Sequence, residues 1–99
     1  MKIYLFCSAG MSTSLLVTKM VKAAEETGLE AHIEAFSQSE AATKGPEADI
    51  ILLGPQIRFQ LGKTKEMFPN KVVEVIDMRD YGMVNGAKVL EDALAKFNA

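Results

Sequence analysis

Cys7 is the one cysteine in a chain of 99 residues, and it is followed by Ser8-Ala9-Gly10-Met11-Ser12-Thr13-Ser14, a run of mostly small and hydroxyl-bearing side chains. Such a segment can bend tightly, because Gly10 can adopt positive φ and successive backbone N–H groups can converge on one anion. A helix starting directly afterwards would add its free N–H groups and its positive end to the same cradle. The hydroxyls of Ser8, Ser12, Thr13 or Ser14 could donate further hydrogen bonds or cap that helix, and spacing alone does not say which. Donors that hold a phosphoryl group also stabilise a thiolate, so a thiol at the base of the cradle is a candidate nucleophile. It would attack phosphorus in line while the loop balances charge on the equatorial oxygens, a reaction that in principle needs no metal. The other reading of Cys7 is a small buried core thiol, since free cysteine is among the most buried residue types.

A single thiol cannot close an internal disulfide and forms no redox pair, which points to a reducing compartment. Eleven Lys and Arg against thirteen Asp and Glu leave a formal charge of −2, and no basic run suggests nucleic acid. The apolar start Met1 to Phe6 is too short for a signal peptide, and no later stretch is long enough to cross a bilayer. A cytoplasmic protein without membrane insertion of its own is expected. The length suits one domain over residues 1–99.

The elements that must carry the Cys7 segment follow a βαβ rhythm. Ile3 to Phe6 and Ile50 to Leu53 are apolar on consecutive residues, as central parallel strands covered on both faces are. Glu30 to Phe36 alternates, and Val72 to Ile76 carries Glu74 in its middle, so both read as edge strands. Right-handed crossovers then give a four-stranded parallel sheet of order 2-1-3-4 with helices on both faces. The chain reverses direction across the sheet between strands 1 and 3, and ligands of such folds bind at that carboxyl-end crevice. Cys7 is placed at its mouth.

Helices are expected over Ser12 to Thr27, with Leu16, Val17, Met20, Val21 and Ala24 inward and Gly28 as terminator. A capping box at Ser37 to Glu40 opens a short helix ending near Gly45-Pro46. A third helix is read over Ile57 to Met67, and a last one from an Asn85 N-cap, burying Ala87, Leu90, Leu94 and Phe97. Met78 to Val84 is read as a connection.

Cysteine phosphatases place an arginine six positions after their cysteine to clamp the phosphoryl group, and Thr13 stands there in this chain. Its absence argues against efficient phosphate-monoester hydrolysis and suggests that a protein partner completes the site. The segments Ile3 to Ser14, Asp49 to Gln56 and Val73-Glu74-Val75-Ile76-Asp77 resemble the cytoplasmic IIB proteins of the bacterial sugar phosphotransferase system, cellobiose/lactose class, over nearly the whole length. That resemblance implies a phosphocysteine carrier: Cys7 accepts a phosphoryl group from phosphohistidine on a IIA protein and passes it to a sugar bound by a membrane IIC transporter. It implies a β-linked disaccharide or β-glucoside such as cellobiose or chitobiose, no cofactor and no metal; a monomer is expected. A low-activity cysteine phosphatase and a noncatalytic anion- or nucleotide-binding module are the competing readings, though no Gly-Lys-Ser/Thr or GxGxxG loop is present.

Gln56, after strand 3, could approach the crevice from the far side of the switch point or simply begin a helix after the Gly54-Pro55 turn. Asp77 and Tyr81 follow strand 4 on the Cys7 side, where they could support the loop or meet a partner. The bland assignments are a solvated carboxylate and an anchoring ring, and Asp77 is not assigned to catalysis because it would oppose a thiolate. His32, flanked by Glu30 and Glu34, reads as a solvated edge-strand residue. Arg58, Lys63 and Lys65 form a modest basic set, and Met11 could touch partners or pack locally.

Overall fold

The computed structural model describes residues 1–8 and 11–99, and the side chains of all of these except Met11 and Ser12. Strands β1 (Lys2–Cys7), β2 (His32–Ser37), β3 (Ile50–Leu53) and β4 (Val72–Val75) form one parallel sheet in the order β2-β1-β3-β4. The expected order and fold class stand. Ile3, Leu5, Ile50 and Leu52 point into a core beneath helices α1 (Met11–Glu26) and α5 (Gly86–Phe97), together with Leu16, Met20, Val89 and Leu90. Tyr4, Phe6, Ile51 and Leu53 point into a second core with Ile57, on the side of α2 (Ala41–Lys44) and α3 (Leu61–Met67). Consecutive apolar residues on β1 and β3 therefore serve opposite faces of a strand buried from both sides.

Local signals hold at most boundaries. Gly28 has φ +73, and the Leu29 N–H donates to Ala24 O while the Gly28 N–H donates to Glu25 O, which closes the end of α1 with paired bonds. Ser37 and Glu40 cap each other's backbone as a capping box. Asn85 Oδ1 accepts from the Lys88 N–H at the start of α5.

Three expectations are corrected. The third helix does not run from Ile57: residues Pro55–Gln60 form a 3-10 turn, in which Ile57 leaves helical geometry (φ −117°, ψ 27°) to reach the second core, and the α-helix starts at Leu61. Met78 to Val84 is not irregular, for Met78–Gly82 forms α4, with the Asp77 side chain accepting from the Arg79 and Asp80 N–H groups. The inward face of α5 is Gly86, Val89, Leu90 and Ala93, while Ala87 and Phe97 are exposed. Gly86 sets that rotation. A Cβ there would lie 2.5 Å from Lys19 Cβ and 2.6 Å from Met20 N, so α5 meets α1 backbone against backbone at a residue with no side chain to reveal it.

Among the described residues no helix is long and apolar enough to cross a membrane. At the β1–β2 edge, Tyr4 packs its ring edge-on against Phe36 at 4.8 Å, and its hydroxyl lies 3.4 Å from Glu47 Oε1. Burial above all, then the charges of Glu47 and Glu34, pushes the Tyr4 phenol above its ordinary range.

Gly86→Ala should cost about 1–3 kcal/mol by forcing α1 and α5 apart, whereas Gly62→Ala, with nothing within 4 Å of the new methyl, should gain about 0.5–1 kcal/mol; paired thermal melts check both signs. An unfolded tyrosine releases its proton near pH ~10, while folded Tyr4 holds it longer. Stability should therefore be intact below that pH and fall as pH rises beyond it, and Tyr4→Phe should reduce this alkaline loss in melts over the same range.

Candidate active site

Cys7 ends β1, the strand with neighbours on both sides, where it pairs in register with Ser37 of β2. The thiol is 1% exposed, deeper than the mouth of the crevice where the sequence placed it; Ser8, next along the chain, is exposed. From the β3 side, Gly54 closes against it. The Gly54 N–H donates to Phe6 O at 2.8 Å, and a Cβ on Gly54 would lie 3.1 Å from Cys7 Cβ and 2.8 Å from Gln56 Oε1. The structure thus brings Gln56, itself exposed, against the glycine that walls the thiol.

From the helix side comes Thr13, which is wholly buried, its hydroxyl donating to Cys7 Sγ at 2.7 Å. Thr13 Oγ1 also lies 3.3 Å from the Tyr81 hydroxyl. A threonine hydroxyl has one proton; with that proton on sulfur, the Tyr81 O–H is the donor to Thr13. A hydroxyl donor beside the sulfur is placed to balance negative charge there, and a second donor behind it strengthens the first bond. The phosphatase arginine position is therefore occupied by a neutral donor aimed at the Cys7 sulfur.

Tyr81 is held by its own short element. Asp77 Oδ1 accepts from the Arg79 N–H at 2.9 Å and the Asp80 N–H at 3.1 Å, and the Tyr81 N–H donates to Asp77 O. Beyond α4 the chain turns through Val84 at φ +54, a conformation that costs a β-branched residue about 1–3 kcal/mol. The Val84 N–H to Tyr81 O and Asn85 N–H to Asp80 O bonds secure that turn. Asp77 is thus an exposed carboxylate, as expected, that also caps α4.

Of the other expected residues, Ser14 is exposed and its carbonyl accepts from Thr18 Oγ1 at 3.1 Å. The expectations on Ala9, Gly10 and the side chains of Met11 and Ser12 lie outside the described residues. His32 is exposed and bonded to Glu34 Oε1 at 2.8 Å. Sequence reasoning missed the Thr13–Cys7 and Thr13–Tyr81 bonds and the approach of Gly54. A signal for the first existed: Thr13 continues the inward stripe Leu16, Met20 and Ala24 of α1 by one helical step.

The family model described as PTS system, Lactose/Cellobiose specific IIB subunit, matches residues 2–92. The oligo-beta-mannoside-specific EIIB component of the PTS system of Bacillus subtilis (strain 168) is 50% identical over 97 residues, covering 95% of this chain and 93% of that protein. The galactose-specific EIIB component of Lactococcus lactis subsp. cremoris (strain MG1363) is 47% identical over 98 residues, covering 92% and 91%. The solution structure of a cellobiose-specific phosphotransferase IIB component from Borrelia burgdorferi superposes with a TM-score of 0.81 at 39% identity, covering 99% of this chain and 92% of that one.

Gly54→Ala should lower the melting temperature by several degrees, since Gln56 can swing away but Cys7 Cβ on the central strand cannot. Gly82→Ala, which meets nothing within 4 Å, should leave it within about 2 °C. Equal melts for the two variants would contradict the close packing at Cys7.

Proposed function

Because the chain belongs to the lactose/cellobiose-specific IIB family of the sugar phosphotransferase system, we propose that Cys7 is its phosphoryl carrier. The Cys7 thiolate attacks the phosphorus of a phosphohistidine on a IIA protein; the S–P bond forms as the P–N bond breaks, and the imidazole leaves. A hydroxyl of a sugar held by a membrane IIC transporter then attacks the same phosphorus. The O–P bond forms, the S–P bond breaks, the hydroxyl proton passes to base or solvent, and the thiolate returns.

The observation that carries this reading is the 2.7 Å bond from buried Thr13 Oγ1 to Cys7 Sγ. A thiolate that receives a hydrogen bond is stabilised before attack and again as leaving group, which suits a relay that must load and unload. Once sulfur is esterified it is a poor acceptor, and the Thr13 proton is close enough to turn to a phosphoryl oxygen. Among the described residues, no arginine hydrogen bond reaches Cys7 or Thr13; Arg58 donates to Pro55 O. A carrier benefits from slow hydrolysis, because water that competes with sugar wastes the phosphoryl group.

Ser8, Ala9, Gly10, Met11, Ser12, Thr13 and Ser14 are proposed as the phosphate-binding loop, with Gln56, Asp77 and Tyr81 supporting it or its partners. The sugar is proposed to be β-linked, a disaccharide or β-glucoside of the cellobiose or chitobiose kind. Relatives of nearly equal identity are named for oligo-beta-mannoside and for galactose, which agrees with selectivity residing in the transporter. The chain would act at the cytoplasmic face of that transporter.

Incubation with phosphorylated IIA should add one phosphoryl mass to the intact chain, mapped to Cys7 and absent from Cys7→Ser. Vesicles carrying the transporter should then discharge it onto a β-linked sugar. Phosphorylation elsewhere, or rapid release of inorganic phosphate without sugar, would contradict the carrier reading. Tyr81→Phe should slow loading about two- to fivefold, the share of one hydrogen bond acting through another.

A further inference from the structure

A groove of about 260 Å³ runs between α5 and edge strand β4, on the face of the sheet that α1 and α5 cover. Its walls are apolar, formed by Leu52, Ile76, Val89 and Ala93. Its polar lining is acidic: Glu74, Asp77, Asp80 and Asp92 against the single ammonium of Lys96. An apolar slot with carboxylates around it fits a long side chain with an aliphatic stem and a cationic head, lysine or arginine.

The chain already places one cation in this field. Lys88 Nζ sits 2.8 Å from both carboxylate oxygens of Asp92, and the Asp92 hydrogen bond, joined by the charges of Asp92, Asp80 and Glu91, holds its pKa above the usual range. Lys88 answers only Asp92, so even with it the rim keeps an excess of negative charge. The opposite face of the sheet differs: Lys63 and Lys65 are exposed on α3, and Lys71 follows it. The overall charge of −2 conceals this separation.

Position links the groove to the site. Asp77 and Asp80 belong to the cap and first turn of α4, whose Tyr81 reaches Thr13 beside Cys7. The acidic strip therefore opens at the carboxyl end of the sheet, where the phosphoryl group must leave. Cytoplasmic loops of membrane proteins carry an excess of lysine and arginine, so a partner embedded in the bilayer presents the complementary charge.

We propose that this groove docks a basic cytoplasmic loop of the membrane transporter, one of whose lysine or arginine side chains enters between α5 and β4; the inference rests on the carrier function proposed above. The groove serves the unloading step alone, and the soluble phosphohistidine donor does not use it. Glu74 then has a second duty. As an inward-facing charge on an edge strand it discourages pairing with another sheet, and it leaves the slot free for a cation.

The test compares Glu74→Gln/Asp92→Asn with the unaltered chain in two assays: loading of Cys7 by phosphorylated IIA, and formation of sugar phosphate by transporter vesicles from chain already loaded. The double variant should load normally and show a KM toward the vesicles raised about fivefold at low salt with kcat unchanged, a difference that shrinks as ionic strength rises. An unchanged KM would overturn the proposal. A matching rise in KM for IIA would overturn it too, assigning the groove to the soluble donor. Should the double variant melt early, the unaltered chain decides: its KM for vesicles must rise between about 0.02 and 0.5 M salt, and a salt-independent KM refutes the groove. Failure of the unaltered chain to load Cys7 would refute the carrier function instead, so the two failures are distinguishable.

Discussion

One hydrogen bond organises this molecule: a buried threonine proton is given to a buried sulfur over 2.7 Å. The donor lies on α1 and the acceptor at the end of β1, so the bond ties helix to strand directly. It depends on what prevents either from moving. Cys7 stands on a strand paired on both sides, and Gly54 on the β3 side lets backbone approach its Cβ. Thr13 is locked by the same apolar stripe that seats α1 on the sheet. Because Thr13 has a single proton to give, Tyr81 is left to donate to Thr13, and a side chain from the far end of the sequence thereby bears on the sulfur.

The sheet order makes that convergence possible. In the arrangement β2-β1-β3-β4 the carboxyl ends of all strands face one way, and the crossover from β2 to β3 opens the crevice beside β1. α4 is short, capped by Asp77 and followed by a strained Val84, yet it decides where Tyr81 stands. Backbone strain of this size persists only where surrounding bonds over-determine it, and here the Val84 and Asn85 N–H groups supply them. The negative groove below α4 lies on the same route, so the element that steadies the sulfur also borders the surface proposed to receive the membrane partner.

Much of this was legible in the residues. The continuous apolar runs of β1 and β3, the alternation in β2 and Glu74 in β4 encode which strands lie inside, and with handedness that fixes the order. Gly28, the Ser37–Glu40 box and Asn85 mark boundaries through local chemistry. What escaped depends on contacts between distant segments. Gly86 shows its purpose only when α1 lies 2.5 Å from its missing Cβ. Ile57 packs inward as its apolar type suggests, but it does so by leaving helical geometry, which no local pattern announces, and α4 is too short to display a period. Cys7 and Thr13 were both marked as candidates, but their spacing of six residues does not announce the bond that joins them. Asp77, judged unfit for catalysis on charge grounds, has a capping task consistent with that judgement.

The central claim is that the Thr13 hydroxyl serves the sulfur during transfer. Single-turnover loading of Cys7 from phosphorylated IIA, measured by rapid quench for the unaltered chain, Thr13→Ser and Thr13→Val, tests it most directly. Removing a hydrogen bond to a charged group should slow Thr13→Val by about 10- to 100-fold, while Thr13→Ser, which keeps the hydroxyl, should stay within a fewfold of the unaltered chain. A valine variant that loads at full speed, or a serine variant as slow as valine, would contradict the account.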